Sequence, residues 1–144
     1  MAERRAGDGF ARRGPAGGLL LALLGLICSG CMLMSGQETT IDVADGTGNV
    51  LTRFVSAEGG EEALIDVGLS AAEVQVIAIV GVDSGDLELT LLQPDGAAAF
   101  TVASRPDTEV TRSGGVRTDE EGRLRYRVSA RGARDGSYQI FVQP

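Results

Sequence analysis

From residue 41 onward, hydrophobic and polar positions follow the short period of β-strands, with no long helical period. Residues 123–131 alternate most cleanly, with Leu124, Tyr126, Val128 and Ala130 on one face. Residues 74–82 are the most apolar stretch, and their β-branched content predicts a central strand. Further strands are predicted over residues 50–56, 63–69, 87–91, 98–103 and 137–143.

Turn residues separate these runs. The sequence EGGEE separates the predicted strands 50–56 and 63–69. DSGD occupies residues 83–86, QPDG residues 93–96 and GARDG residues 132–136. About seven or eight short strands with no helix between them predict an all-β fold, an antiparallel β-sandwich.

Two segments of this region carry a family resemblance. GDLELTLLQPDG (85–96) and DGSYQIFVQP (135–144) resemble the bacterial pre-peptidase C-terminal domain. The matching positions are Asp86, Leu87, Leu89, Pro94, Gly96, Gly136, Tyr138, Ile140 and Val142. The resemblance implies a jelly-roll-like, non-catalytic sandwich of the kind that accompanies secreted enzymes.

The N-terminus has the form of an export signal. Residues 1–18 hold four arginines against two acids, and residues 19–27 are wholly apolar. The sequence CSGC (28–31) then resembles the lipobox of bacterial lipoproteins, because small Ser29 and Gly30 directly precede Cys31. Cys28 departs from that pattern, which usually has an aliphatic residue there. The resemblance implies cleavage before Cys31 and a diacylglyceryl group on its sulfur.

These features predict three segments: a lipoprotein-type signal peptide with its signal or anchor helix (1–30), a lipidated N-terminus and short tether (31–40), and the β-sandwich domain (41–144). The domain would then lie in the cell envelope, membrane-anchored on the extracytoplasmic side. Two alternatives stay open. Residues 17–36 are twenty uncharged residues and could form an uncleaved single-pass anchor, or the signal could be cleaved in the ordinary way.

The composition argues against an enzyme. The sequence has no histidine and no lysine, and all 13 basic residues are arginine. Serine–histidine and cysteine–histidine centres, serine–lysine dyads, Walker A lysines and zinc sites of the usual cysteine/histidine kind are therefore excluded. No catalytic residue and no cofactor is predicted.

Charge is distributed unevenly along the chain. The net charge is −7, yet residues 101–144 hold eight arginines against six acids. Arg123, Arg125 and Arg127 share one face of one predicted strand and form a candidate ladder for anionic groups. Alternatively these arginines line a solvated face and pair with Glu88 or with the acids of residues 119–121.

Acidic turns are the remaining candidate chemistry. Asp42, Asp45, Asp83, Asp86 and Asp95 could supply oxygen ligands for calcium, but Asp-Gly turns arise for backbone reasons alone and no metal site is predicted. The expected partners are the membrane, through lipid on Cys31, and an envelope protein or glycan, with no nucleic acid. The sequence thus predicts a lipid-anchored, non-catalytic domain that binds a macromolecule or is structural. The alternative is a calcium- or glycan-binding extracellular module.

Overall fold

The computed structural model describes residues 31–144, and this part of the chain is all-β with no helix. Its seven strands pair exclusively antiparallel in one continuous sheet. They are β1 (Leu33–Ser35), β2 (Glu38–Ala44), β3 (Thr47–Asp66), β4 (Glu73–Leu92), β5 (Ala98–Ala103), β6 (Val110–Arg117) and β7 (Arg123–Gln143). The predicted signal peptide and its helix lie outside the described residues.

Three strands each contain two of the strands that the sequence predicts, because segments expected to be turns are bends within strands. β3, β4 and β7 each run for 20 or 21 residues. Each bends near a glycine with positive φ, at Gly59, Gly85 and Gly132. The pairing of β7 with β3 and with β4 shifts register at these bends. The predicted breaks EGGEE, DSGD and GARDG are therefore places where a paired strand bends without reversing.

The bends fold the sheet into two layers. The first layer contains β2, β6 and the parts of the long strands over residues 47–54, 74–82 and 136–143, and the second contains β5 with residues 59–66, 86–92 and 123–131. Tyr126 and Tyr138 lie in opposite layers of the same strand. Twelve extended residues would separate them by about 40 Å, yet their ring centroids are 6.2 Å apart. The predicted β-sandwich is thus confirmed.

Inward-facing side chains of both layers form one core. Alternate positions of the long strands supply it, including Val76, Leu89 and Ile140, which are fully buried. Tyr126 and Tyr138 belong to this core, as the alternation predicts. The layers are also linked at their edges, where Arg112 Nη1 donates a hydrogen bond to the Thr101 carbonyl at 2.8 Å.

The segment predicted as a tether lies in the sheet instead. β1 pairs with β3 at the bend, β2 begins at Glu38, and both lie along β3. Met32 and Met34 pack against the core, and Cys31 is exposed immediately before them. Within residues 31–144 we find no helix suited to crossing a membrane.

Candidate functional site

The middle of the outer face of the first layer has few charged side chains, and we call this region the amide face. It consists of outward-facing residues on five adjacent strands. They are Thr40, Asp42, Thr47, Asn49, Leu51, Gln75, Ile77, Ile79, Thr111, Ser113, Gln139, Phe141 and Gln143. Their outward direction follows from the alternating neighbours Val50, Ala78 and Ile140, which are buried. Charged residues of the same outer face border the amide face, with Glu38 and Arg53 at one end and Glu73 and Arg117 at the other.

Two complete rows cross the amide face from edge to edge. The first runs Asp42, Asn49, Phe141, Ile77, Ser113, and the second runs Thr40, Leu51, Gln139, Ile79, Thr111. Five strands at about 4.8 Å spacing make each row about 19 Å wide. Asp42, at one edge, is the single charged residue among these ten. The centre of the face therefore offers amides, hydroxyls and apolar groups without ionic charge.

At the centre of the amide face, a hydrogen bond fixes two side chains, and no other strand of the described chain covers them. Gln139 Nε2 donates a hydrogen bond to Asn49 Oδ1 at 2.9 Å. Phe141, Leu51 and Ile77 are half-buried, and no other strand of the described chain packs on top of them. Beside Phe141, a shallow depression of about 240 Å³ reaches Asp42, Thr47 and Gln143 at the edge of the layer.

The predicted arginine ladder lies on the outer face of the second layer, which we call the arginine face. Arg123, Arg125 and Arg127 project from β7 at every second position, as the alternation predicts. Arg123 Nε donates to Asp119 Oδ2 at 2.9 Å, and Arg123 Nη2 donates to Glu121 Oε2 at 3.0 Å. The acids of the preceding loop thus occupy this guanidinium, as the alternative reading of the ladder expects.

Asp119 is fixed by more than its ion pair. Its Oδ1 accepts hydrogen bonds from the backbone N–H groups of Arg123, at 2.8 Å, and Glu121, at 3.1 Å. The backbone bond from Arg123 lowers the pKa of Asp119 below its usual value, and the Arg123 guanidinium adds to that effect. The Asp119–Arg123 pair therefore shapes the loop that leads into β7.

The other two ladder arginines have different surroundings. Arg127 forms an ion pair with Glu62, which lies opposite it on β3. Arg125 lies between Leu64 on β3 and Leu92 on β4, and within residues 31–144 it forms no ion pair. Glu88, the other partner considered for the ladder, lies opposite Ser129 instead. A ladder of three free cations is therefore not present, because carboxylates hold two of them.

A polar groove of about 600 Å³ continues the arginine face toward the bends. Glu58, Asp86, Glu88 and Arg131 line it, with Ser129 in the middle. Glu58 Oε2 accepts a hydrogen bond from the Gly132 N–H at 2.6 Å, so this carboxylate supports the bend of β7. Three carboxylates against one guanidinium leave the groove net negative, so it does not extend the arginine face as a site for anions.

The acidic turns do not converge. In the part of the chain that the structure describes, no three acidic, cysteine or histidine side chains come close enough to hold a metal ion. Asp95 Oδ1 instead accepts a hydrogen bond from the Ala97 N–H at 2.9 Å, which is the backbone role expected of an Asp-Gly turn.

The tyrosine pair is the most strongly perturbed titratable cluster. Burial raises the pKa of Tyr126 far above its ordinary value, and Tyr138 and the carboxylate of Glu61 add to that rise. Burial likewise raises the pKa of Tyr138. The two phenols are therefore held neutral inside the sandwich and take no part in a surface site.

Sequence reasoning did not identify the amide face. Its signal is the outward set of residues 137–143, in which Gln139, Phe141 and Gln143 alternate with the buried residues. These residues can be assigned to a common surface only when the strands on either side of β7 are known. The order of β2, β3, β7, β4 and β6 depends on pairings between residues far apart in the chain.

Comparisons with known proteins give only distant similarity. No family model and no curated protein matches the sequence, which leaves the resemblance to the pre-peptidase C-terminal domain a prediction. Among solved structures, the chain is similar to a carbohydrate-binding module of Cellvibrio mixtus lichenase 5A in complex with cellotriose. The identity is 17% and the TM-score 0.40, over 78% of this chain and 89% of that one.

Two further solved structures show the same level of similarity. One is a xylan-binding domain from Paenibacillus barcinonensis, with 12% identity and a TM-score of 0.41 over 81% of this chain and 86% of that one. The other is from Bacillus endospore appendages, described as disulfide-linked pili, with 10% identity and a TM-score of 0.42 over 78% and 93%. Similarity at this level carries no inference about a ligand of this chain.

Proposed function

We propose that this chain is a non-catalytic, lipid-anchored domain of the cell envelope that binds a neutral polysaccharide on the amide face. The observation that carries the proposal is the pair of cross-strand rows through Phe141 and Gln139, with ten residues and one charge. This is the glycan-binding alternative predicted from the sequence, now given a specific surface.

The chemistry of the amide face suits a polyhydroxylated ligand. A sugar ring presents an apolar C–H face and a rim of hydroxyl groups. Phe141, Leu51 and Ile77 supply half-buried apolar surface for the ring, and amides have both donors and acceptors for hydroxyl groups. The Gln139–Asn49 bond uses one N–H of Gln139 and the carbonyl oxygen of Asn49, and it leaves the Gln139 carbonyl oxygen and both Asn49 Nδ2–H groups for a ligand.

The scarcity of charge in these rows, where Asp42 at one edge is the single charged residue, favours a neutral polymer. A phosphate, carboxylate or sulfate group on a ligand would need arginine or a cluster of backbone N–H groups to replace its water. Arg53, the nearest arginine on β3, lies one row beyond Leu51, opposite Glu38 on β2. The amide face therefore complements hydroxyl groups better than anions.

The position of Cys31 supports the lipid anchor. β1 takes up Leu33–Ser35, so the uncharged run of residues 17–36 cannot all lie in a bilayer. An exposed Cys31 next to an ordered domain is suited to carrying a lipid.

Affinity electrophoresis through gels that contain a soluble neutral polysaccharide tests the binding proposal. A mixed-linkage β-glucan and a xylan serve as neutral probes, and polygalacturonate serves as the anionic probe. We expect at least one neutral polymer to retard the protein. Phe141→Ala, which removes the central ring, should weaken that binding by about tenfold or more, equivalent to roughly 1.4 kcal/mol.

Arg125→Glu is the matched control, because Arg125 has no ion pair within residues 31–144 and lies on the opposite layer. Its binding to the neutral polymer should equal that of the parent. Retardation by polygalacturonate alone, lost in Arg125→Glu, would assign binding to the arginine face and contradict the proposal. So would a Phe141→Ala variant that is folded and binds like the parent.

A further inference from the structure

The N-terminal attachment point is fixed against the domain. Cys31 lies beside Gly59 at the bend of β3, close enough that a Cβ on Gly59 would be 2.8 Å from the Cys31 carbonyl oxygen. The next residue, Met32, already packs against the core, and β1 begins one residue later. A group attached to Cys31 is therefore joined to the folded domain with almost no free chain.

Two exposed apolar residues lie on β1, which follows this attachment point, and on the part of β3 beside it. Leu33 is 72% exposed and Val55 is 54% exposed, and they are two of the four large hydrophobic side chains exposed in the described chain. Leu33 pairs with Glu58 in the ladder of β1 and β3. Val55 contacts Gly36 at the far end of β1, since a Cβ there would be 2.6 Å from Val55 Cγ2.

We propose that the end of the sandwich at Cys31, Leu33 and Val55 rests on the lipid bilayer. This inference rests on the lipid anchor of the proposed function. Residues 1–30 directly precede Cys31 and include the apolar run of residues 19–27, so a bilayer is the surface that Cys31 meets. A lipid there would bring Leu33 into the interface within two residues of the anchor, and apolar side chains at that depth add to membrane binding.

The consequence is a fixed orientation. The bends face the membrane, and the opposite end, with the turns around Gly46, Gly68 and Gly122, points away from it. These three turns meet there, as Cβ atoms on Gly46 and Gly122 would approach Leu69 and Gly68. Strands of the amide face then run from the bend end outward, so that the face stands beside the membrane and is open to an envelope polymer.

Tryptophan fluorescence tests this orientation cleanly, because the sequence contains no tryptophan. The membrane-extracted protein is reconstituted into phosphatidylcholine vesicles with or without brominated acyl chains, and its lipid is verified by intact mass. Leu33→Trp should show blue-shifted emission and about twofold quenching by the brominated lipid. Val55→Trp is a second reporter in case the first variant does not fold.

Leu64→Trp is the matched control. Leu64 is 49% exposed, and it lies six residues beyond Glu58 on β3, about 20 Å from the bend. Its emission should be red-shifted and unquenched. A lipidated protein in which neither reporter at the bend is quenched, or in which Leu64→Trp is quenched equally, would overturn the orientation. Polysaccharide retardation is measured separately, so loss of the orientation and loss of glycan binding are distinguishable.

Discussion

At the residue scale, the clearest feature is that charged side chains on the outer face of the second layer form ion pairs with one another. Asp119 and Glu62 hold the arginines that the sequence marks as a binding ladder. A linear pattern shows that Arg123, Arg125 and Arg127 share a face, but a carboxylate 65 residues away in Glu62 can be placed beside Arg127 only by the fold. The ladder and the pairing of Arg123 with the acids of residues 119–121 could therefore be predicted from the sequence, whereas the Arg127–Glu62 pair could not.

The buried tyrosines should make the free energy of unfolding fall at alkaline pH. The unfolded chain releases phenolic protons near pH ~10, whereas the folded chain retains them because burial raises the pKa of Tyr126 and Tyr138. Above that pH the unfolded state binds fewer protons, so the free energy of unfolding falls as pH rises. Below it these groups contribute no pH dependence.

Urea unfolding between pH 8 and 11.5 measures this effect. The sequence has no lysine, so the two tyrosines dominate the side-chain titration above pH ~9.5. We expect a flat free energy of unfolding up to about pH 9.5 and a decline beyond it, shallower in Tyr126→Phe. An identical slope in that variant would show that Tyr126 does not carry the effect.

At the element scale, the notable feature is that glycines bend three long strands where the sequence predicts turns. The predictions of strands over residues 50–56 and 63–69 identify real β-structure, but both belong to β3. A cluster of glycine and acidic residues shows that the backbone leaves regular geometry. Whether the chain reverses or only bends depends on the neighbouring strand, since β7 stays paired on both sides of each bend. Long-range pairing is what single-sequence reasoning lacks here.

Gly85 is the most constrained of these bends. Its φ is +78°, and a Cβ would lie 2.2 Å from the Gly132 carbonyl oxygen, a backbone atom of β7. Gly85→Ala should lower the free energy of unfolding by roughly 3–5 kcal/mol, because backbone must shift in addition to the strain of positive φ. Thermal or urea unfolding measures the loss.

Gly96→Ala separates the cost of positive φ from the cost of the backbone clash. Gly96 has a similar φ of +86°, but nothing lies within 4 Å of its Cβ position. This variant should lose only about 1–2 kcal/mol, the cost of positive φ for a residue with a Cβ. If both variants lose the same free energy of unfolding, β4 and β7 are packed less tightly at Gly85 and Gly132 than the 2.2 Å distance implies.

At the scale of the whole molecule, the sandwich has two outer faces of different chemistry and Cys31 at one end. The all-β class, the sandwich and the non-polar core follow from alternation and turn residues in the sequence. The amide face does not, because Asn49, Ile77 and Phe141 come together only through the strand order. The anchor at Cys31 remains a prediction from the signal-like N-terminus and the position of β1.

The most direct test of the central claim is to map amide chemical shifts of ¹⁵N-labelled protein during titration with a soluble oligomer of the neutral polysaccharide that retards it. Binding at the amide face predicts that the largest shifts fall on Asn49, Ile77, Gln139 and Phe141, with Arg125 and Arg127 unmoved. Shifts concentrated on the arginine face, or no saturable shifts at millimolar oligomer, would contradict the claim that this domain binds a neutral polysaccharide there.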